Sequence, residues 1–203
     1  MYRFHMSKIH FLSTLLILSL TGCACSDNRR PTVQQKEETE KETVAVAEAP
    51  VEAKEVILEA FAMINPYKDD NISGIVTFAK VPGGIKIIAD VKGLTPGKHG
   101  FHVHEHGDCS GHDGMAAGGH FNPTNSKHGG PDSAERHVGD FGNLDADENG
   151  YAHYERIDNL IAFEGKNSII GKSLIIHAEP DDLVTQPTGA SGARIACGLI
   201  EAR

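Results

Sequence analysis

The feature that most restricts this chain is a recurring two-residue alternation of apolar and polar side chains. It runs through 72–78 (ISGIVTF), 85–91 (IKIIADV), 100–104 (GFHVH), 151–157 (YAHYERI), 173–177 (SLIIH) and 194–200 (RIACGLI), with 55–63 (EVILEAFAM) as the expected first strand. A period of two sends successive side chains to opposite faces of a strand. No long stretch carries a clean helical period. Turn signals separate the runs: Val81-Pro82-Gly83-Gly84 after the second strand and Asp147-Glu148-Asn149-Gly150 before 151–157. Short strands joined by Gly-rich turns specify an all-β domain, an antiparallel sandwich or barrel.

Residues 105–143 break that rhythm. They are Gly-rich and polar, and a loop of this length in a compact domain is usually functional or disordered. Of the 12 histidines in the chain, ten lie between His99 and His177, and imidazole is the commonest side-chain metal ligand. His102 and His104, at i and i+2 on a strand, share a face and can reach one ion, while Phe101 and Val103 turn into a core. His120, His128, His137 and Asp140 supply three nitrogens and a carboxylate, a tetrahedral set that suits zinc and leaves no position open. Gly129-Gly130-Pro131 and Gly139 would let the loop wrap round the ion. His177 ends the apolar run Leu174-Ile175-Ile176, where a buried core histidine is the simpler reading.

The N-terminus reads as an export signal. Arg3 and Lys8 form a positive start, Phe11 to Leu20 is apolar but too short to span a bilayer, and Leu20-Thr21-Gly22-Cys23 resembles the bacterial lipobox. Residues 1–22 are therefore expected to be a signal peptide and Cys23 an acylated N-terminus anchored in a membrane. Residues 24–53, rich in Glu, Lys, Thr and Ala, form an expected disordered tether that follows the lipidated Cys23. Residues 54–203 then make one domain. The net charge of −9 argues against nucleic acid as a partner. Cys25 falls in the tether. Cys109 and Cys197 remain in the domain of an exported chain, either bridged or as two free buried thiols.

The segments GFHVHEHGDC, GGHFNP, KHGGP, ERHVGDFGN, IIHAEPDD and GARIACG occur in the order found in copper/zinc superoxide dismutases, and the resemblance covers nearly all of 54–203. It implies a Greek-key β-sandwich or flattened barrel with long metal-binding and active-site loops. It also implies disproportionation of superoxide by alternating reduction and reoxidation of a copper ion, bridged to zinc through His120. On this resemblance His102, His104, His120 and His177 hold one copper, and His120, His128, His137 and Asp140 hold one zinc, in each subunit. Cys109 and Cys197 match the family's disulfide, and Arg194 the arginine that attracts superoxide. Asp181 matches a carboxylate linking a copper histidine to a zinc histidine, expected to be His102 and His128. The family includes dimers and monomers, so a homodimer is allowed without being required. Export would place the enzyme in the periplasm or at the cell exterior.

Three features depart from the family pattern. The segment from Ala178 to Ala193 has no Lys or Arg and carries Glu179, Asp181 and Asp182, so long-range steering of an anion should be weak. The connection from His177 to Arg194 is short. His106 and His112 are additional imidazoles, read as solvated. The competing function is a non-enzymatic copper or zinc store or delivery protein with the same fold. Such relatives typically lack a copper ligand or the arginine, and this chain retains the full set. A zinc hydrolase would need an open zinc position and a nearby general base, which the N₃O set does not offer.

Overall fold

Each alternating run becomes a strand because one of its faces can be buried. The computed structural model describes residues 56–68 and 71–203; the expected signal peptide, the lipobox with Cys23, and the tether lie outside the described residues. The strands are β1 (Glu59–Pro66), β2 (Ser73–Val81), β3 (Gly84–Lys92), β4 (Gly97–His104), β5 (Asp140–Ala146), β6 (Ala152–Asp158), β7 (Ser173–His177) and β8 (Arg194–Ala202). They close into an antiparallel barrel in the order β1-β2-β3-β6-β5-β4-β7-β8, so the all-β expectation holds. Two short 3₁₀ turns, Met115–Ala117 and Gly165–Asn167, are the only helical elements among the described residues.

The core fills the barrel. Ile85, Ile87, Ala89 and Val91 of β3 face inward at every second position. Ala60, Ala62 and Ile64 of β1, Val76 and Phe78 of β2, and Phe101 and Val103 of β4 do the same. Phe101 meets Phe141 and Tyr154 with ring centroids 5.7 and 5.5 Å apart, in tilted and edge-on geometries that aromatic quadrupoles favour. The β2–β3 hairpin turns through Pro82-Gly83 as the sequence predicts, and Gly83 takes φ +93°, a value a side chain would resist. Asp147 caps the other predicted turn, its Oδ1 accepting the N–H groups of Asn149 and Tyr151, both at 2.9 Å. A smaller apolar cluster of Tyr67, Ala117, Ile175 and Cys197 sits outside the barrel, beside Cys109.

Two expectations need correction. The first strand begins at Glu59 rather than 55 and continues to Pro66, because its partners set its length: it pairs with β2 from Ala79 to Gly74 and with β8 as far as Ala196. The loop ends at Gly139, not at residue 143, because β5 starts at Asp140. Its alternation is masked: Gly142 has φ +77°, the β4–β5 register shifts between Gly100 and His102, and polar Asp140 is fully buried beside Phe141.

A buried ion pair ties the loop to the barrel, beside a more exposed one between Arg156 of β6 and Asp132. Buried Arg136 donates from Nη1 to the carbonyls of His137, Val138 and Asp140, at 3.1, 3.3 and 3.2 Å. Its Nη2 donates to buried Asp158, the last residue of β6, at 2.5 Å. Removing one partner of such a pair strands a buried charge. Asp158→Ala is expected to destabilise the protein by about 3–5 kcal/mol, read as a lower urea midpoint. A change under about 1 kcal/mol, the size expected of an exposed pair, would contradict that role.

Candidate metal centre

The alternation that fills the barrel also builds a site on its outer side. On β4, Phe101 and Val103 enter the core, and His102 and His104 occupy the opposite face. Three of the five remaining positions follow from strand or bridge pairing, and His128 and His137 come from the loop between β4 and β5. Asp140 lies opposite His102 in the β4–β5 register, His120 forms an isolated bridge with His104, and His177 at the end of β7 faces Arg194 at the start of β8. The loops 105–139 and 178–193 close over these groups, and every one of the histidines involved is buried.

Two donor sets result. His102, His104, His120 and His177 converge in one; His120, His128, His137 and Asp140 converge in the other, with the donor atoms of each set within 4.8 Å of one another. His177, which alone reads as a core histidine, is thus a full member of the first set. His106 and His112 are exposed and belong to neither.

Hydrogen bonding fixes where the protons sit. His104 Nδ1 lies 3.1 Å from Gly118 O, and His177 Nδ1 lies 3.2 Å from Gly192 O. A carbonyl only accepts, so both rings carry their proton on Nδ1. Their Nε2 atoms, 3.3 Å apart, therefore meet lone pair to lone pair. His102 Nε2 donates to Asp181 Oδ2 at 2.8 Å, which leaves its Nδ1 bare, and His128 Nε2 donates to Asp181 Oδ1 at 2.9 Å, which turns its Nδ1 towards Asp140. His102 Nδ1 and His120 Nε2 are buried with no hydrogen-bond partner. Unpaired acceptors turned on one another are costly without a cation between them.

The second set points the same way. Asp140 Oδ1 is 2.9 Å from His120 Nδ1 and 3.1 Å from His137 Nδ1, and Oδ2 is 3.1 Å from His128 Nδ1. Ligands about 2.0 Å from a tetrahedral ion sit roughly 3.3 Å apart, so the four side chains already approximate that cage. Backbone N–H groups of His137 and Gly129 also donate to Asp140 Oδ2, at 2.8 and 3.2 Å. The residues fit a metal in both sets.

Electrostatics matches this design. Burial, reinforced by neighbouring His102, pushes His120 down to about 4 and His177 down to about 3, so both are neutral donors at pH 7. Burial also lowers His102 and, more strongly, His104. At His128 burial acts downward too, but hydrogen bonds to Asp140 and Asp181 outweigh it and raise the ring to about 9. Burial would lift both carboxylates, yet the surrounding imidazoles hold Asp140 and Asp181 below the usual carboxylate range.

Arg194 stands at the mouth. Its Nη2 donates to Gly118 O at 2.5 Å and its Nη1 to Gly114 O, which aims the guanidinium from two carbonyls of one loop. The Cys109–Cys197 disulfide, with Cα atoms 5.7 Å apart, ties that loop to β8. Arg194 lines an open cavity of about 640 Å³ with Lys68, His112, Asp113, Met115 and Gly192.

Four supporting groups were not evident in the sequence. Arg136 knits the loop to β6, and Asn143 clasps the Asp181 backbone, accepting its N–H at 2.7 Å and donating to its carbonyl at 2.9 Å. Gln186 reaches His128, and His99 Nδ1 bonds the His177 carbonyl at 2.8 Å. Only Arg136, charged in a Gly-rich loop beside His137, carried any signal.

Comparison with known proteins agrees with this geometry. A family model described as copper/zinc superoxide dismutase matches residues 72–200. A superoxide dismutase [Cu-Zn] of Onchocerca volvulus is 43% identical over 144 residues, covering 66% of this chain and 90% of that protein. An extracellular superoxide dismutase [Cu-Zn] of Brugia pahangi is 44% identical over 139 residues, covering 64% and 69%. The crystal structure of the clock protein EA4 superposes with a TM-score of 0.69 at 37% identity, covering 74% of this chain and 98% of that one.

The opposed shifts at His120, His177 and His128 give the metal-free protein a stability maximum in pH. His120 and His177 titrate at about 4 and about 3 when folded, against 6.5 when unfolded. The unfolded chain therefore takes up protons first, and stability falls as pH drops from about 6.5 towards 4. His128, raised to about 9, contributes stability below 6.5 that is lost as pH rises through 9. Urea midpoints of metal-free protein should thus be highest near neutrality and lower on both sides; a midpoint that climbs steadily to about pH 9 would contradict the His128 assignment.

Proposed function

The chain belongs to the copper/zinc superoxide dismutase family, and we propose that each subunit holds one copper and one zinc ion in the two donor sets. It is an oxidoreductase that converts two superoxide anions and two protons to oxygen and hydrogen peroxide. One observation carries the residue assignment: His120 belongs to both sets, so a single imidazole joins four nitrogens to an N₃O cage. Four imidazoles suit copper, and three with a carboxylate suit zinc in a closed structural site. His102, His104, His120 and His177 are the proposed copper ligands; His120, His128, His137 and Asp140 are the proposed zinc ligands.

When bound, copper supplies the one-electron couple that takes an electron from one superoxide and returns it to another, which zinc cannot do. The chain's own groups do the rest. Asp181 and the carbonyls of Gly118 and Gly192 hold the imidazole tautomers that leave one bare nitrogen on each ring. His120 keeps Nδ1 on the Asp140 side, so Nε2 is the atom to hold one of the protons that peroxide needs. Arg194 presents a fixed positive charge to an arriving anion at short range. Farther out, attraction is weak. Glu179 and Asp182 occupy a loop with no Lys or Arg, and Lys68 and Arg194 are the cations lining the mouth.

Export, a lipid anchor at Cys23 and a homodimer complete the proposal. The Cys109–Cys197 bridge supports export, since disulfides persist in oxidising compartments, and the Brugia pahangi relative is named as extracellular. The anchor, with the bacterial lipoprotein form and a periplasmic or exterior location, rests on Phe11 to Leu20 and the Leu20-Thr21-Gly22-Cys23 motif. Exposed Met63, Ile75 and Leu199, on the adjacent strands β1, β2 and β8, favour a second copy as partner. Mass analysis of the mature N-terminus tests the anchor, and sedimentation of the purified protein tests the dimer.

Direct superoxide decay, followed by pulse radiolysis on protein loaded with copper and zinc, tests the function. Rapid copper-dependent decay is expected, with Arg194→Ala lowering the second-order constant roughly tenfold or more at unchanged metal content. The constant should vary little with ionic strength, because attraction at the mouth is offset by the acidic loop. Full metal occupancy without catalysis would instead favour storage or delivery.

A further inference from the structure

We propose that Gln186 is a positioning residue for the zinc set, a latch through which the loop that shapes the copper mouth also fixes the main chain of His128. The inference rests on the reading of His128 as a zinc ligand and goes beyond it.

Three observations converge. The side-chain amide of Gln186 engages both backbone polar groups of His128: Oε1 accepts the His128 N–H at 2.8 Å, and Nε2 donates to the His128 carbonyl at 2.9 Å. This pair of bonds reproduces what a neighbouring strand would offer a residue that lies in none. Nε2 also donates to Val184 O at 3.1 Å, which holds the amide in its own loop. The imidazole of the same histidine is grasped from its far side by Asp181, whose Oδ1 accepts from Nε2 at 2.9 Å.

Gln186 and Asp181 both belong to the 178–193 connection, so one loop sets His128 at the backbone and at the ring. What remains is Nδ1, which faces Asp140 Oδ2 at 3.1 Å. The room here is tight: a Cβ added at Gly189 would lie 1.8 Å from Asp181 Oδ1 and 2.7 Å from His128 Nε2. The same loop continues to Gly192, whose carbonyl orients His177, and then to Arg194. Seating of the zinc loop and seating of the copper mouth are therefore coupled through side chains that touch neither ion.

The size of the effect follows from outer contacts of metal ligands, whose loss typically weakens metal affinity 10–100-fold. Gln186→Ala removes both bonds to His128, and Gln186→Met keeps the volume while removing them. Gln186→Met also serves as the second variant should Gln186→Ala fail to fold. Zinc affinity of the full chain, measured by competition with a chromophoric chelator, should fall about 10–100-fold in both. The visible spectrum of Co(II) loaded in place of zinc should shift, since it reports donor geometry directly. Val184→Ala, at an exposed side chain of the same loop, should bind zinc and cobalt as the unsubstituted protein does.

Zinc affinity and Co(II) spectrum unchanged in Gln186→Met would overturn the latch while leaving the zinc set standing. An equal loss in Val184→Ala would also overturn it, by showing a general loosening of the loop. Failure of the unsubstituted protein to bind zinc would overturn the ligand assignment itself, and the latch with it.

Discussion

Asp181 accepts from His102 at Oδ2, 2.8 Å, and from His128 at Oδ1, 2.9 Å, where the Leu183 N–H also donates at 2.7 Å. That single bridge decides the tautomers of two rings in two different donor sets. With Nε2–H committed to Asp181, each ring must turn its Nδ1 inward, and the same logic at Gly118 and Gly192 turns bare Nε2 atoms inward from His104 and His177. The site is therefore assembled from acceptors that face one another. Such an arrangement is unfavourable on its own and becomes favourable around a cation. Asn143, which clasps the Asp181 backbone from β5, carries this constraint back into the barrel.

The barrel provides what loops alone could not, which is fixed separation. His102 and His104 are held by period-two geometry on β4, Asp140 by pairing opposite His102, and His177 and Arg194 by pairing across β7 and β8. The long loops then need only close over groups already in place. Arg136 performs that closure on one side with three carbonyl bonds and buried Asp158, and the Cys109–Cys197 bridge performs it on the other. The 105–139 loop is thereby tied to the sheet at both of its ends.

Much of this was legible in the residues. Seven of the eight strands are legible, most because a half-buried strand writes its burial into every second position, and β7, buried on both faces, as a short apolar run. β5 escaped because Gly142 and the register shift break its period, and because its buried positions include Asp140, a polar residue placed there for chemistry. The donor residues were legible as chemical types at suitable spacing. Their partners were not. Gln186, Asn143 and His99 act on backbone atoms of residues distant in sequence, and no local pattern announces a bond of that kind. Asp140 illustrates the boundary: its identity suggested a ligand, but its pairing with His102 required the sheet.

The ligands are not spread evenly round the barrel. None of the seven lies on β1, β2, β3 or β6. Coordination thus clamps β4, β5, β7 and the 105–139 loop directly, while the opposite wall is held mainly by apolar filling and ladder bonds, with the Arg136–Asp158 pair at the end of β6. The two walls answer to different rules of sequence change. On one, drift is bounded by the identity of single atoms such as Asp181 Oδ1. On the other, Asp158 apart, it is bounded mainly by volume and alternation, and many sequences satisfy those. The wall without ligands is where such a fold can diverge, acquiring new contacts on its outer face without disturbing the chemistry behind it.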